Sequence, residues 1–165
     1  MTITIRAYNR SDSASVRALL LSTPLPDGTL PSADYWPAEL TDIPNHFAAF
    51  WVACDQSGSV VGTVGVQDVA RHSMSIAVPD FLASDEPTAR LRRLDVLPAQ
   101  QRRGLGRRLS QTVVDWAREH GYARVILDTT TLQTPAIALY ESLGFRRAGQ
   151  TRFRRWDIAW FELTL

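Results

Sequence analysis

The sequence has 165 residues, of which 45% are hydrophobic, 9% aromatic and 21% charged, a composition that fits one ordinary globular domain over residues 1–165. This composition excludes a mainly disordered, collagen-like or coiled-coil protein. The single cysteine, Cys54, excludes an intramolecular disulfide framework. The net charge of +1 conceals an acidic first half and a basic second half in which every basic residue is arginine. Such a division suits two ligands of opposite charge, and a charged surface that cancels overall explains it equally well.

Apolar alternation, helical spacing and turn residues divide the N-terminal half into a strand, a helix, a loop, a second helix and a hairpin. In that order these are Thr2–Ala7, a helix from Ser11 or Asp12 to before Pro24, the loop Pro24–Asp34, a stretch between Trp36 and Phe50, and the strands Trp51–Cys54 and Val60–Val69 around Asp55–Gly58. Residues 71–88 are harder to assign: Ser73–Val78 suits a short strand and Pro79–Pro87 a loop.

The C-terminal half alternates strands and helices more regularly. Its predicted elements are the strand Arg90–Leu97, an amphipathic helix Gly104–His120 closed by Gly121, the strand Val125–Asp128, a helix Ala136–Leu143 with Thr134 as N-cap and Pro135 in the first turn, closed by Gly144, and the strands Arg152–Phe153 and Trp156–Leu165. The order β-α-α-β-β-β-α-β-α-β-β predicts a single α/β domain with a mixed sheet.

A strand, a glycine-bearing turn and a helix N-terminus follow one another between Leu94 and Gly106. This arrangement favours an anion, because the first-turn N–H groups lack helical partners and the helix dipole attracts negative charge. Gly104 would let a phosphate approach the backbone, although glycines that serve helix–sheet packing explain the same pattern. The absence of lysine excludes a P-loop, and Leu109 stands where a dinucleotide fingerprint needs its third glycine.

Two motifs resemble those of a known family. The run Val96–Gly106, with Gln101, Gly104 and Gly106 at its core, resembles motif A of the GNAT superfamily of acyl-CoA-dependent N-acyltransferases. The run Gln133–Phe145, which contains A-x-x-L-Y-x-x-x-G-F, resembles motif B, and one predicted helix and one strand separate the two motifs, in the family's order. The resemblance implies a mixed, mostly antiparallel central sheet flanked by helices, with a V-shaped splay after the fourth strand.

What the resemblance implies about function is an N-acetyltransferase. It would move an acetyl group from acetyl-CoA, as cosubstrate and without a metal, to a primary amine of a small molecule or peptide by direct attack in a ternary complex. The cofactor contacts carried over are the backbone of Val96 and Leu97, the turn and helix start at Gln101, Arg102, Arg103, Gly104, Leu105, Gly106 and Arg107, and Gln133 at the mouth of the groove. Tyr140 carries over as the acid that protonates the CoA thiolate, and a backbone N–H at a strand bulge around Val96 as the oxyanion donor.

The sequence departs from the family at the general base, because Arg90 stands where many members have a glutamate. The substitutes are Asp95, Asp128, Asp68, Glu86 and His72, each with a structural or surface role as the alternative, and an amine that loses its proton to water needs no dedicated base. A catalytically inactive acyl-CoA-binding sensor therefore stays open as an alternative function, whereas the retained Tyr140 favours an enzyme.

The acceptor is expected to contact residues 31–49 and 70–88, where acidic and aromatic side chains mix. This mixture suits a cationic amine, and ordinary loop acidity explains it as well.

Near-zero net charge disfavours a nucleic-acid partner. We expect a cytoplasmic protein without a membrane partner, because no apolar run approaches the ~20 residues of a membrane span and residues 1–12 lack the apolar core of a signal peptide. A homodimer stays open, and Cys54 is expected in the core rather than as a nucleophile.

Overall fold

Residues 2–165 are described by a computed structural model, in which they form seven strands and four α-helices. The strands are β1 (Thr4–Ala7), β2 (Ala49–Cys54), β3 (Val60–Asp68), β4 (Thr88–Val96), β5 (Arg124–Thr130), β6 (Arg146–Phe153) and β7 (Trp156–Thr164). The helices are α1 (Ser13–Ser22), α2 (Ile43–His46), α3 (Leu105–Glu119) and α4 (Thr134–Ser142). None of these helices has the length and apolar character that a membrane span requires.

The strands make one sheet in the order β1-β2-β3-β4-β5-β7-β6, in which the β4–β5 pair is parallel and the other neighbours are antiparallel. The parallel pairing joins only Thr88–Arg90 to Arg124–Ile126. Beyond it the two strands run on without pairing and so open a gap in the sheet. The predicted mixed, mostly antiparallel sheet with a splay after its fourth strand is thus confirmed.

A bulge in β4 lies just beyond the point where the strands separate. Thr63 of β3 faces Asp95, but Gly65 faces Arg92, so β4 carries one residue more than β3 between these pairs. Arg93 has a φ of 54° there, in the left-handed region. A bulge bends its strand and increases the local twist. It lies at Arg93–Leu94, before the region around Val96 that the resemblance implies.

Helices cover both faces of the sheet. Successive side chains of a strand point to opposite faces, and along β2 the buried Val52 packs with α1 residues whereas Ala53 belongs to the cluster that contains α3. The α3 side is the larger core and includes Tyr140 and Phe145. Cys54 is buried in the α1 cluster, which confirms the prediction of a core position.

Several predicted boundaries differ from the structure. Ser73–Val78 is irregular, and the helical stretch between Trp36 and Phe50 is reduced to a 3₁₀ turn and the short α2. Helix α4 begins at Thr134, which leaves Gln133 at the N-cap position predicted for Thr134. Strand β6 begins at residue 146, before its predicted start, because its mostly polar, half-exposed edge position carries little hydrophobic signal.

Candidate functional site

A cleft of about 420 Å³ lies where β4 and β5 separate, between the starts of α3 and α4. Its lining residues are Leu94, Val96, Gln101, Arg102, Gly104, Gly106, Arg107, Gln133, Pro135, Ala136 and Leu139. The structure therefore brings together most of the predicted cofactor contacts. The apolar wall formed by Pro135, Ala136 and Leu139 was not predicted, although their spacing places them on one side of α4.

The start of α3 forms the polar end of this cleft. Gly104 occupies the N-cap with a φ of 79°, and no side chain caps the helix. The first N–H of α3 to bond back into the helix is that of Arg108, which donates to the Gly104 carbonyl, so the N–H groups of residues 105–107 precede the helical ladder. A Cβ on Gly104 would meet nothing within 4 Å, which shows open space at this point. Leu105 contributes only its N–H, since its side chain is buried in the core.

Gly106 has a packing role as well, because a Cβ there would approach Leu139 of α4 to 3.2 Å. Two of the three predicted arginines lie on the cleft wall, Arg102 and Arg107. Arg107 also donates to the Ser142 hydroxyl at 2.5 Å and so ties α3 to the end of α4. The third, Arg103, is exposed and is not among the residues that line the cleft, and its predicted cofactor contact stays a prediction.

The edge of β4 that faces the cleft is offered by Val96 and not by Leu97. The Leu97 N–H donates to the Val61 carbonyl at 3.0 Å, and the Leu97 carbonyl accepts from Gln100 at 2.8 Å. Neighbouring residues of a strand direct their backbone groups to opposite edges, so the Val96 N–H faces the cleft. The Val96 carbonyl accepts from the Gln101 side chain at 3.0 Å. The predicted backbone contact of Leu97 is therefore corrected, because both of its polar groups already have protein partners.

A second cavity of about 390 Å³, which we call the inner pocket, joins the cleft through the shared residues Leu94, Gln133 and Ala136. Tyr140 lines the inner pocket and is only 5% exposed, with its ring 6.0 Å from that of Phe145. Burial raises the pKa of Tyr140 well above its usual value. Tyr140 is thus a protonated phenol beside the junction of the two cavities.

An outer pocket of about 460 Å³ continues from the inner one and shares Tyr35, Ser75, Arg93 and Phe153 with it. Its charged and titratable lining residues are Tyr35, Glu39, His46, Arg93 and Arg154. Of the acidic residues in the predicted acceptor segments (Asp34, Glu39, Asp42, Asp80, Asp85 and Glu86), Glu39 alone lines either pocket.

Glu39 does not offer its charge to a ligand, because Arg92 lies at 3.0 Å and Arg93 at 2.5 Å from the same carboxylate oxygen. Burial raises the pKa of Glu39, but the two guanidinium groups outweigh this effect and hold the pKa below its usual value. The acidic face expected for a cationic amine is therefore not formed, and arginine dominates the outer wall.

Arg90 is fully buried and has a structural role. Its guanidinium bonds Asp128 Oδ1 at 2.5 and 3.0 Å, donates to the Ile76 carbonyl at 2.7 Å and lies 4.9 Å from the Trp160 ring centre. Burial lowers the pKa of Arg90 and Asp128 opposes that effect, but arginine does not deprotonate in proteins and cannot act as a base. Through Ile76 and Met74, Arg90 also holds residues 73–78 beside the inner pocket.

The remaining candidate bases divide by position. Asp68 lies beside Ala89, at the opposite end of β4 from the cleft, where it accepts from the Tyr122 hydroxyl, and His72 contacts its backbone. Glu86 is exposed before the start of β4. Only Asp95 and Asp128 line the inner pocket. Within the described part of the chain, no three His, Cys, Asp or Glu side chains are grouped to hold a metal ion.

Comparison with known proteins identifies relatives among the acetyltransferases. The Acetyltransferase (GNAT) family profile matches residues 15–145. N-acetyltransferase 8 of Homo sapiens is 38% identical over 114 residues, which cover 66% of this chain and 43% of that protein. N-acetylaspartate synthetase of Danio rerio is 36% identical over 104 residues, which cover 63% of this chain and 32% of that protein. The chain thus spans less than half the length of these curated relatives. Arabidopsis thaliana NAA60, solved in complex with acetyl-CoA, superposes with a TM-score of 0.73 at 17% identity, over 99% of both chains.

Proposed function

The chain belongs to the GNAT family of acetyltransferases, and from that premise we propose that it transfers an acetyl group from acetyl-CoA to a primary amine of a small molecule or peptide. The observation that carries this proposal is the cleft between β4 and β5. It combines a backbone edge, uncapped helix N–H groups and arginines on one side with an inner pocket that contains a protonated tyrosine on the other.

Acetyl-CoA fits the chemistry of the cleft. The pyrophosphate would lie on the N–H groups at the start of α3, where the space beside Gly104 is open and Arg102 and Arg107 supply positive charge. The pantetheine arm would extend along β4 and bond the Val96 edge, with Gln133 opposite and the apolar wall of α4 beneath it. The acetyl group would then reach the junction at Leu94.

The reaction follows from the groups at that junction. The amine attacks the thioester carbon, and the developing oxyanion is held by a cleft-facing N–H of β4, which we assign to Leu94 because it adjoins the bulge. Collapse of the intermediate expels the CoA thiolate, and Tyr140 donates a proton to the sulfur. Holding amine and thioester in adjoining cavities supplies much of the rate enhancement.

The acceptor is proposed to carry an anionic group, such as a carboxylate, in addition to its amine. Arg93 and Arg154 line the outer pocket. Arg93 is paired with Glu39, the one carboxylate among the lining residues, whereas Arg154 has no ion pair within residues 2–165 and so supplies the cation for the acceptor. Guanidinium groups bind carboxylates through paired, charge-assisted hydrogen bonds. The name of the Danio rerio relative, N-acetylaspartate synthetase, denotes an acetylated amino acid and supports the same acceptor class.

The test is CoA release from acetyl-CoA in the presence of free L-amino acids, their methyl esters, a tripeptide and spermidine. Tyr140→Phe should lower turnover with the best amine by about 10²-fold and leave acetyl-CoA affinity within about twofold, since the phenol acts only after binding. Equal turnover by Tyr140→Phe would remove Tyr140 from the mechanism.

The second candidate function is an acyl-CoA-binding sensor without catalysis. The observation that favours it is Arg90, which occupies the position of the usual glutamate and is locked to Asp128. Acetyl-CoA binding without CoA release for any amine of the panel would establish the sensor and exclude the enzyme.

A further inference from the structure

The proposed reaction leaves a proton to be removed from the acceptor, and the residue at the usual position of the base is an ion-paired arginine. We propose that Asp95 is the general base, an assignment that rests on the proposed function and names a further catalytic residue for it. The assignment comes from the position of Asp95 between two cavities and from the lack of a protein partner for its carboxylate.

Asp95 lies next to the reaction centre. Leu94 and Gln133 line the cleft, the inner pocket and a third cavity of about 380 Å³ bounded by residues 23–26, so the three spaces meet beside them. Asp95 follows Leu94 on β4 and lines both the inner pocket and the third cavity. Its side chain lies on the opposite face of β4 from those of Leu94 and Val96, and it borders the inner pocket that we assign to the acceptor amine.

The Asp95 carboxylate is uncommitted, unlike the other carboxylates of the two pockets. Asp128 is bonded to Arg90 and Glu39 to two arginines, whereas Asp95 has no side-chain hydrogen bond or ion pair within residues 2–165. Burial raises the pKa of Asp95, and Arg93 and Arg92 oppose that effect.

The charged and titratable groups that line the inner pocket together with Asp95 are Arg92 and Arg93 of the same strand, Asp128, Tyr140 and Tyr35. Asp128 is paired with the buried Arg90. Burial outweighs the two arginines, so the pKa of Asp95 lies above its usual value, and this makes the carboxylate a better proton acceptor than an exposed aspartate. Such a carboxylate can receive a proton from an ammonium group held in the inner pocket.

The protons of the full step balance. The acceptor ammonium gives one proton to Asp95, which passes it to solvent after turnover. As the C–N bond forms and the C–S bond breaks, Tyr140 protonates the sulfur, and the second proton lost by nitrogen restores the Tyr140 hydroxyl. The products are an acetamide and CoA thiol, with one proton released.

The experiment compares Asp95→Asn, Asp95→Glu and the control Asp115→Asn, whose side chain is exposed on α3. Acetyl-CoA titration of each variant reports an intact cleft, and kcat at saturating amine is measured over about pH 5 to 9 with the most active amine of the panel. We expect Asp95→Asn to lower kcat at neutral pH by about 10²-fold, with acetyl-CoA affinity unchanged. Asp95→Glu should recover part of the loss, and Asp115→Asn should match wild type.

The pH profile separates a base from a merely structural residue. Wild-type kcat should fall towards low pH as Asp95 becomes protonated, and should be level above that transition. Asp95→Asn should lose that level region and rise about tenfold per pH unit, as hydroxide replaces the base. An Asn variant with wild-type kcat and profile would overturn the assignment while leaving the proposed function intact. A wild-type chain that releases no CoA with any amine would overturn both.

Discussion

Replacing Arg90 with methionine tests the structural role assigned to this residue. The change removes a guanidinium with no exposed surface and leaves the Asp128 carboxylate, only 9% exposed, without its cation. It also removes the hydrogen bond to the Ile76 carbonyl that holds residues 73–78. Methionine fills much of the same apolar volume, so the effect reports the lost charge pair more than a cavity.

The size of the effect follows from the burial of the pair. Breaking a buried ion pair by removing one partner costs about 3–5 kcal/mol, because the other charge stays desolvated and unpaired. In a chain of this size, 1 kcal/mol corresponds to about 2–4 °C in Tm, so we expect Tm to fall by roughly 6–20 °C. Arg90→Met combined with Asp128→Leu should recover at least half of this loss, since apolar replacement of a whole buried pair is close to neutral.

The assay is thermal and urea unfolding of the single variant, the double variant and the control Arg118→Met, whose ion pair with Asp115 is exposed on α3. The control should change the free energy of unfolding by less than about 0.5 kcal/mol. A loss below about 1 kcal/mol for Arg90→Met, or a double variant no more stable than the single one, would refute the reasoning.

Three further changes test other parts of the site. Gly104→Ala and Gly121→Ala place a Cβ at the same φ of 79° in open space at the two ends of α3. Each substitution should therefore lower the free energy of unfolding by about 1 kcal/mol. Calorimetry should show acetyl-CoA affinity reduced about tenfold only for Gly104→Ala, where the added methyl group meets the proposed phosphate site. Glu39→Gln should cost about 3 kcal/mol at pH 7. The pKa of Glu39 is lower in the folded state than in the unfolded state, so the stabilisation by Glu39 is present above the unfolded pKa and is lost as pH falls through the folded pKa. Urea unfolding should therefore show that the stability difference between Glu39→Gln and wild type shrinks in acid. A difference that does not change with pH would contradict the ion-pair assignment. Arg154→Gln should raise KM for a free amino acid about fivefold and leave KM for its methyl ester unchanged, because the lost contact is to the carboxylate. Both KM values are measured by CoA release. Equal effects on the two substrates would place Arg154 outside the acceptor site.

The cleft between β4 and β5, to which we assign the cofactor, could be predicted because its sequence signals are local. A strand, a turn with Gly104 and an amphipathic helix are neighbours in the chain, and the helical period of α3 is strong. Helix α4 ends at Ser142, and Gly144 follows its C-cap with a φ of 94°, which explains why glycine is needed there. Local patterns of this kind carry the element order of the whole chain.

The acceptor side could not be predicted, because it depends on pairings between distant segments. Glu39 is neutralised by Arg92 and Arg93, more than fifty residues along the chain. No local pattern shows that Leu97 is bonded to Val61 or that Arg90 is paired with Asp128. These contacts decide which charges reach a ligand, and they appear only once the sheet register is known.

We propose above all that the cleft between β4 and β5 binds acetyl-CoA through both its phosphate end and its pantetheine arm. Isothermal titration calorimetry of the purified chain tests this proposal most directly. The ligands are acetyl-CoA, desulfo-CoA and ADP. We expect micromolar affinity for acetyl-CoA, similar affinity for desulfo-CoA, and at least tenfold weaker binding of ADP, which lacks the arm that bonds Val96. No heat of binding with acetyl-CoA under conditions where the chain is folded would contradict the account.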